Sequence, residues 1–156
     1  MRILVDYGFV CNVDNQDVTI NAPDCLEVLH RLRDRGHTLT LVNFCGRVRM
    51  KQIQDYLKTI DNPFVEMYFV KHHKYKRHVA AYLGVDVVID DRMDVLLSMK
   101  EYTTIHFPKY CGLKLQTTFK PTYTVDSWLE IEEVINNMRG LPNRYNWGIF
   151  VKQYCY

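Results

Sequence analysis

Nowhere does the sequence hold an apolar run near the roughly 18 to 20 residues that a bilayer span needs, and its opening Met1 to Val5 stretch runs straight into Asp6. Secretion and a membrane partner are therefore not expected. No charge of one sign dominates either: 20 Lys plus Arg stand against 18 Asp plus Glu, a formal net charge of +2. This falls short of the dense basic surface of a dedicated nucleic-acid binder, so a nucleic acid stays an open partner that the charge does not point to. The five cysteines, Cys11, Cys25, Cys45, Cys111 and Cys155, form no CxxC pair and are odd in number. A zinc knuckle is disfavoured, and free thiols in a reducing, cytoplasmic compartment are expected. Repeats, low-complexity tracts and linkers are lacking as well.

What is present is 156 residues with 47% hydrophobic and 24% charged positions, enough for one domain with a full core. Short apolar runs alternate with amphipathic stretches, the pattern of βαβ units with helices on both faces of a mostly parallel sheet. About five strands are expected, at Arg2 to Asp6, Thr38 to Phe44, Phe64 to Val70, Asp86 to Asp90 and Tyr102 to Phe107. Leu26, Leu29 and Leu32 share one helical face, as do Met50, Ile53 and Leu57, and Val79 with Leu83. Asp24 followed by Glu27 reads as a capping box, with Gly36 ending that helix; Ser127 with Glu130 starts a last helix, buried through Trp128, Ile131, Ile135 and Met138. Gly140 and Pro142 stop it. The expected division is a domain over 1–142 and an aromatic tail over 143–156, with Tyr145, Trp147, Phe150, Tyr154 and Tyr156 packed on the domain or at an oligomer interface.

Ligands of an open parallel sheet bind outside the carboxyl ends of its strands, so polar residues that end apolar strands come first. Three strands end that way, at Asp6, at Asn43, and at Asp90 with Asp91. Converging carboxylates repel unless a cation or a basic side chain stands among them, and Mg²⁺ is the economical choice. A lone Asp at a strand end usually only begins a turn or caps the next helix, which is the reading we adopt for Asp24; the coincidence of Asp6, Asp90 and Asp91 at one edge favours a site.

Asp6 after an apolar strand, Asn43 after the second, and Lys76 followed by Leu83-Gly84-Val85-Asp86 and then Asp90-Asp91 together resemble the haloacid dehalogenase-like (HAD) superfamily over roughly residues 1 to 107. The resemblance implies a Rossmann-like α/β domain and assigns roles residue by residue. Asp6 would be the nucleophile and Asn43 the phosphate holder. Lys76 would stabilise charge and help bind the phosphate, with Lys74 and Lys71 as rivals for that place. Asp6, Asp90, Asp91 and the backbone carbonyl of Gly8 would bind Mg²⁺. A carboxylate attacking a phosphate monoester faces anion repulsion that a metal and an ammonium must neutralise. The phosphatase branch normally carries Asp-x-Asp, where the second Asp protonates the leaving oxygen. Here the stretch is Asp6-Tyr7-Gly8, so that acid is absent.

No large cap fits between Asp6 and Asn43 or between Asn43 and Lys76. The expected function is a Mg²⁺-dependent phosphohydrolase of low or specialised activity on a nucleotide, a nucleic-acid end or a phosphoprotein. The alternative is a module that binds a phosphorylated ligand or protein without turnover. Asp14 and Asp17, on a flap over Tyr7 to Asn21, read as turn residues before substitute acids. His72 and His73 read as surface histidines. Lys71, Lys74, Lys76 and Arg77 with Tyr68, Phe69 and Tyr75 read equally as a phosphate contact or a solvated face. Cys11 and Cys45 have no paired His to make either a nucleophile.

Overall fold

Each apolar run that the sequence offers as a strand becomes one, and all of them pair in parallel. The computed structural model describes residues 1–138 and 155–156. The chain runs β1 (Arg2–Asp6), α1 (Cys25–Asp34), β2 (Thr38–Phe44), α2 (Arg47–Lys58), β3 (Glu66–Val70), a 3-10 turn (His73–Tyr75), α3 (Lys76–Leu83), β4 (Val87–Asp90), α4 (Met93–Ser98), β5 (Thr103–His106), β6 (Tyr123–Thr124) and α5 (Trp128–Asn137). The sheet has six strands in the order β3-β2-β1-β4-β5-β6, every neighbouring pair parallel. The five expected strands are all present, and the short β6 adds a sixth. β6 is two residues long and adds to β5 through reciprocal bonds between the backbone amides and hydroxyls of Thr104 and Thr122, 3.0 and 2.9 Å.

Alternation along the strands divides the core. Ile3, Val5, Leu39, Leu41, Val87 and Ile89 face a layer built by α1, α2 and α5, while Leu4, Val42 and Val88 face α3 and α4. Both faces are covered, which is why the strands are apolar on both sides. Among the described residues, no helix is long and apolar enough to cross a membrane.

Helix ends show where local signals were overruled. Asp24 does stand at the start of α1, but its backbone is left-handed (φ 65°) and its side chain makes no capping bond. Its carbonyl instead accepts the Val28 amide at 3.0 Å, so the expected capping box with Glu27 does not form. The buried stripe of α1 is Cys25, Val28, Leu29 and Leu32, with Leu26 only half-buried. Ser127 caps α5 as expected, its hydroxyl accepting from the Glu130 amide at 3.1 Å, while Glu130 reaches the Asp126 amide at 2.8 Å. The expected stop at Gly140 and Pro142, and Tyr145, Trp147, Phe150 and Tyr154 of the tail, lie outside the described residues. Cys155 bridges Val70 on the outer edge of the sheet, and the Tyr156 amide donates to the Phe69 carbonyl at 3.1 Å.

The segment that follows β1 is tied down from across the domain. The buried Trp128 indole donates to the Val10 carbonyl at 2.8 Å, the Tyr7 hydroxyl donates to the Val18 carbonyl, and Asn12 bridges Asn21. Replacing the indole by a smaller ring leaves a buried carbonyl unpaired and opens a void. We expect Trp128→Phe to lower the unfolding free energy by about 2 to 4 kcal/mol in urea denaturation. An unchanged midpoint would remove α5 as the anchor of this segment.

Candidate functional site

The strand order reverses between β1 and β4: β2 and β3 lie to one side, β5 and β6 to the other. A crevice opens at such a reversal, beyond the carboxyl ends of the two strands. Val5 pairs with Ile89, so the residues that end the two strands, Asp6 and Asp90, stand side by side there. Asp91 follows at once, and carboxylate oxygens of Asp6, Asp90 and Asp91 all lie within 4.8 Å of one another.

Lys76, the first residue of α3, brings the positive charge. Its Nζ donates to Asp6 Oδ1 at 2.8 Å and to Asp90 Oδ2 at 2.7 Å, and the side chain is 0% exposed. Between the competing lysines the geometry is unambiguous, because Lys71 and Lys74 are exposed and reach the rings of Tyr156 (5.9 Å) and Tyr75 (5.2 Å). Arg77 reaches Glu101 at 3.6 Å. The basic cluster of the sequence thus disperses to separate partners.

One ammonium faces three carboxylates, and titration reflects the imbalance. Burial raises the Asp6 carboxyl well above its usual range, the charges of Asp90 and Asp91 raise it further, and Lys76 opposes them. Burial and then Asp90 push Asp91 up to about 8. Burial by itself would lower the Lys76 ammonium, but Asp6 and Asp90 outweigh it and hold the charge above the usual lysine range. With all three carboxyls ionised, two negative charges would exceed the one on Lys76, which a divalent cation would balance, and three hard carboxylate donors at this spacing suit Mg²⁺.

Asn43, buried at the end of β2, accepts the Gly8 amide through Oδ1 at 3.3 Å, which places both beside Asp6 in a cavity of about 460 Å³. Gly8 has no left-handed backbone, and a Cβ built on it would meet only Asn43 Oδ1, at 3.7 Å. Nothing steric or conformational requires glycine there. Other residues of the cavity wall were missed or placed elsewhere from sequence. Arg49 reaches it from the first turn of α2, Cys111 and Leu113 from the stretch after β5, and Arg92, which pairs with Asp94 at 3.0 and 2.8 Å, from the start of α4. His73 also lines the cavity and is no simple surface histidine. Burial, with the charges of Lys76 and Arg92, lowers it to about 4.

The remaining candidates take structural roles. Asp14 and Asp17 accept amides two residues on, at 2.7 and 2.9 Å, as turn residues do. The Cys11 thiol donates to the Asp6 carbonyl at 3.4 Å, and burial raises both Cys11 and Cys45. Thiols held protonated in this way are poor nucleophiles. All five cysteines are free.

No protein-family model matches the sequence, and no curated protein does. Solved structures do match. A D,D-heptose 1,7-bisphosphate phosphatase from B. bronchiseptica, complexed with magnesium and phosphate, gives a TM-score of 0.66 at 15% identity, covering 86% of this chain and 97% of that one. The same enzyme from Burkholderia thailandensis gives 0.66 at 12% identity, covering 88% and 99%. An L-2-haloacid dehalogenase gives 0.59 at 13% identity, covering 74% and 56%. The fold is thus the haloacid dehalogenase-like one.

Asp91 acquires its proton on folding, between an unfolded value near 3.9 and about 8. A folded state that holds an extra proton loses stability as pH rises through that window. In metal-free solution, Asp91→Asn should therefore be more stable than the parent at pH 8, by about 2 kcal/mol in urea denaturation, with the gap closing toward pH 4. A variant that is less stable at pH 8 would contradict the crowding of charge described here.

Proposed function

We propose that this chain is a Mg²⁺-dependent phosphohydrolase of low or specialised activity, acting on a phosphate monoester through an aspartyl-phosphate on Asp6. The observation that carries the reading is the buried Lys76 ammonium bonded to both Asp6 and Asp90 beside a third carboxylate. Structural likeness to phosphatases supports a hydrolase of that type.

Asp6, Asp90 and Asp91 would hold the ion, with the Gly8 carbonyl as the expected backbone donor, and the ion would screen the phosphoryl charge from the carboxylates. An Asp6 oxygen then attacks phosphorus, the bond to the ester oxygen breaks, and the leaving oxygen departs as an alkoxide that takes its proton from solvent water. Water later attacks the acyl phosphate and regenerates the carboxylate, releasing inorganic phosphate. Lys76 orients Asp6 and opposes the burial that favours its protonated form, and Asn43 holds the phosphoryl group. With glycine at position 8 the leaving oxygen lacks its usual acid, an absence worth about 10²- to 10⁴-fold in rate. That absence also favours the second reading, a module that binds a phosphorylated ligand without turnover. Free thiols at all five cysteines fit the proposed reducing, cytoplasmic setting.

The test is phosphate release from a panel of monoesters with and without Mg²⁺. Slow release is expected only with the metal, abolished in Asp6→Asn and raised at least about tenfold in Gly8→Asp, at a position where an added Cβ makes only an ordinary contact with Asn43. Should a folded Gly8→Asp variant release no phosphate from any ester while the parent still binds phosphate, the binding module replaces the enzyme.

A further inference from the structure

The cavity has a polar floor and an apolar rim. Over the carboxylates stand Phe44, 39% exposed at the end of β2, Leu113, 53% exposed on the stretch after β5, and Phe9. The Phe44 ring and the Phe9 backbone are held in place. The Phe44 ring packs edge-on with His73, centroids 4.6 Å apart at 64°, and lies 5.8 Å from His72. Phe9 is held in a left-handed backbone (φ 60°), rare for a bulky residue, with its amide fixed to the buried Asn12 Oδ1 at 3.0 Å. Exposed apolar groups gathered around a polar floor are the lining of a ligand site, and about 460 Å³ is within the usual range for small molecules.

Charge on the wall is as uneven as polarity. Arg92 is held by Asp94, and Lys76 by Asp6 and Asp90. Arg49 lines the same cavity and makes no ion pair or side-chain hydrogen bond among the described residues. A guanidinium over a cavity, with no partner among the described residues, suits an anion with several oxygens. Asn15, on the flap, adds an amide at the mouth that also has no side-chain bond among the described residues, offering donor and acceptor together.

From these juxtapositions we infer that the site takes a nucleoside monophosphate. Its phosphate sits over the floor against Arg49, its base stacks on Phe44 with Leu113 across the mouth, and Asn15 meets the base edge. The inference rests on the phosphate-binding part of the preceding reading. A sugar or glycerol phosphate has no planar face to cover the rim. A phosphotyrosine ring is bonded directly to the ester oxygen, so it lies low over the floor, and its carbon edge offers Asn15 nothing to bond.

Calorimetric titration with thymidine 5′-monophosphate, glycerol 1-phosphate, phosphotyrosine and inorganic phosphate, all with Mg²⁺, tests it. Thymidine monophosphate should bind at least about tenfold tighter than glycerol 1-phosphate, the scale of one stacked base. Phe44→Ala should bring the two together, and Leu113→Ser should narrow the gap as an independent check on the same rim. Arg49→Gln should weaken both, with partial recovery in Arg49→Lys. Equal affinities, a preference for phosphotyrosine, or a ratio untouched by Phe44→Ala overturns the nucleotide assignment while inorganic phosphate binding leaves the phosphohydrolase reading standing. Failure of inorganic phosphate to bind overturns both.

Discussion

A buried lysine ammonium between two carboxylates is the constraint on which this molecule depends. Taking a charge out of water costs several kcal/mol, and Lys76 sits at the first position of α3, where the helix dipole disfavours a cation further. Only Asp6 and Asp90, at 2.8 and 2.7 Å, offset that cost. Those two residues meet because β1 and β4 are neighbours in register at the point where the strand order reverses. Replacing a buried ion pair by well-packed apolar residues is often neutral or stabilising, so stability alone is a weak account of this arrangement.

The same crowding defines what the site lacks. Full ionisation would leave two negative charges beyond what Lys76 balances, and burial with the charge of Asp90 makes Asp91 keep a proton that a solvated carboxyl would lose. A divalent cation relieves the crowding and also presents positive charge to a phosphoryl group. Gly8 removes the acid but leaves this balance intact. In the proposed function, metal and phosphate binding would not depend on that acid, and position 8 has a backbone that needs no glycine and space for a Cβ.

Much of this was legible in the sequence because it lies on strand ends. β1 and β2 occupy the spans that their apolar runs mark, β3, β4 and β5 start one or two residues inside theirs, and the floor residues Asp6, Asn43, Asp90 and Asp91 follow from where those runs stop. Lys76 could be separated from Lys74 only in three dimensions, since two lysines two positions apart, one on the 3-10 turn and one opening α3, differ in direction and not in composition. β6 escaped notice because two residues carry no alternation. The capping role of Asp24 failed because the local pattern is silent on a left-handed backbone. Arg49, His73 and Leu113 are brought to the cavity by the entry angle of α2, the 3-10 turn and an irregular stretch, none of which has a sequence period.

The account turns on Lys76 as a countercharge that a metal ion can supplement, and the unfolding free energy of Lys76→Met in chelator and in Mg²⁺ measures this directly. Removing one partner of a buried ion pair typically costs about 3 to 5 kcal/mol. The account predicts a loss of that size in chelator and a clearly smaller one with Mg²⁺, because the ion supplies charge to Asp6 and Asp90 that the lysine no longer provides. An equal loss in both solutions, or no loss in either, would contradict it.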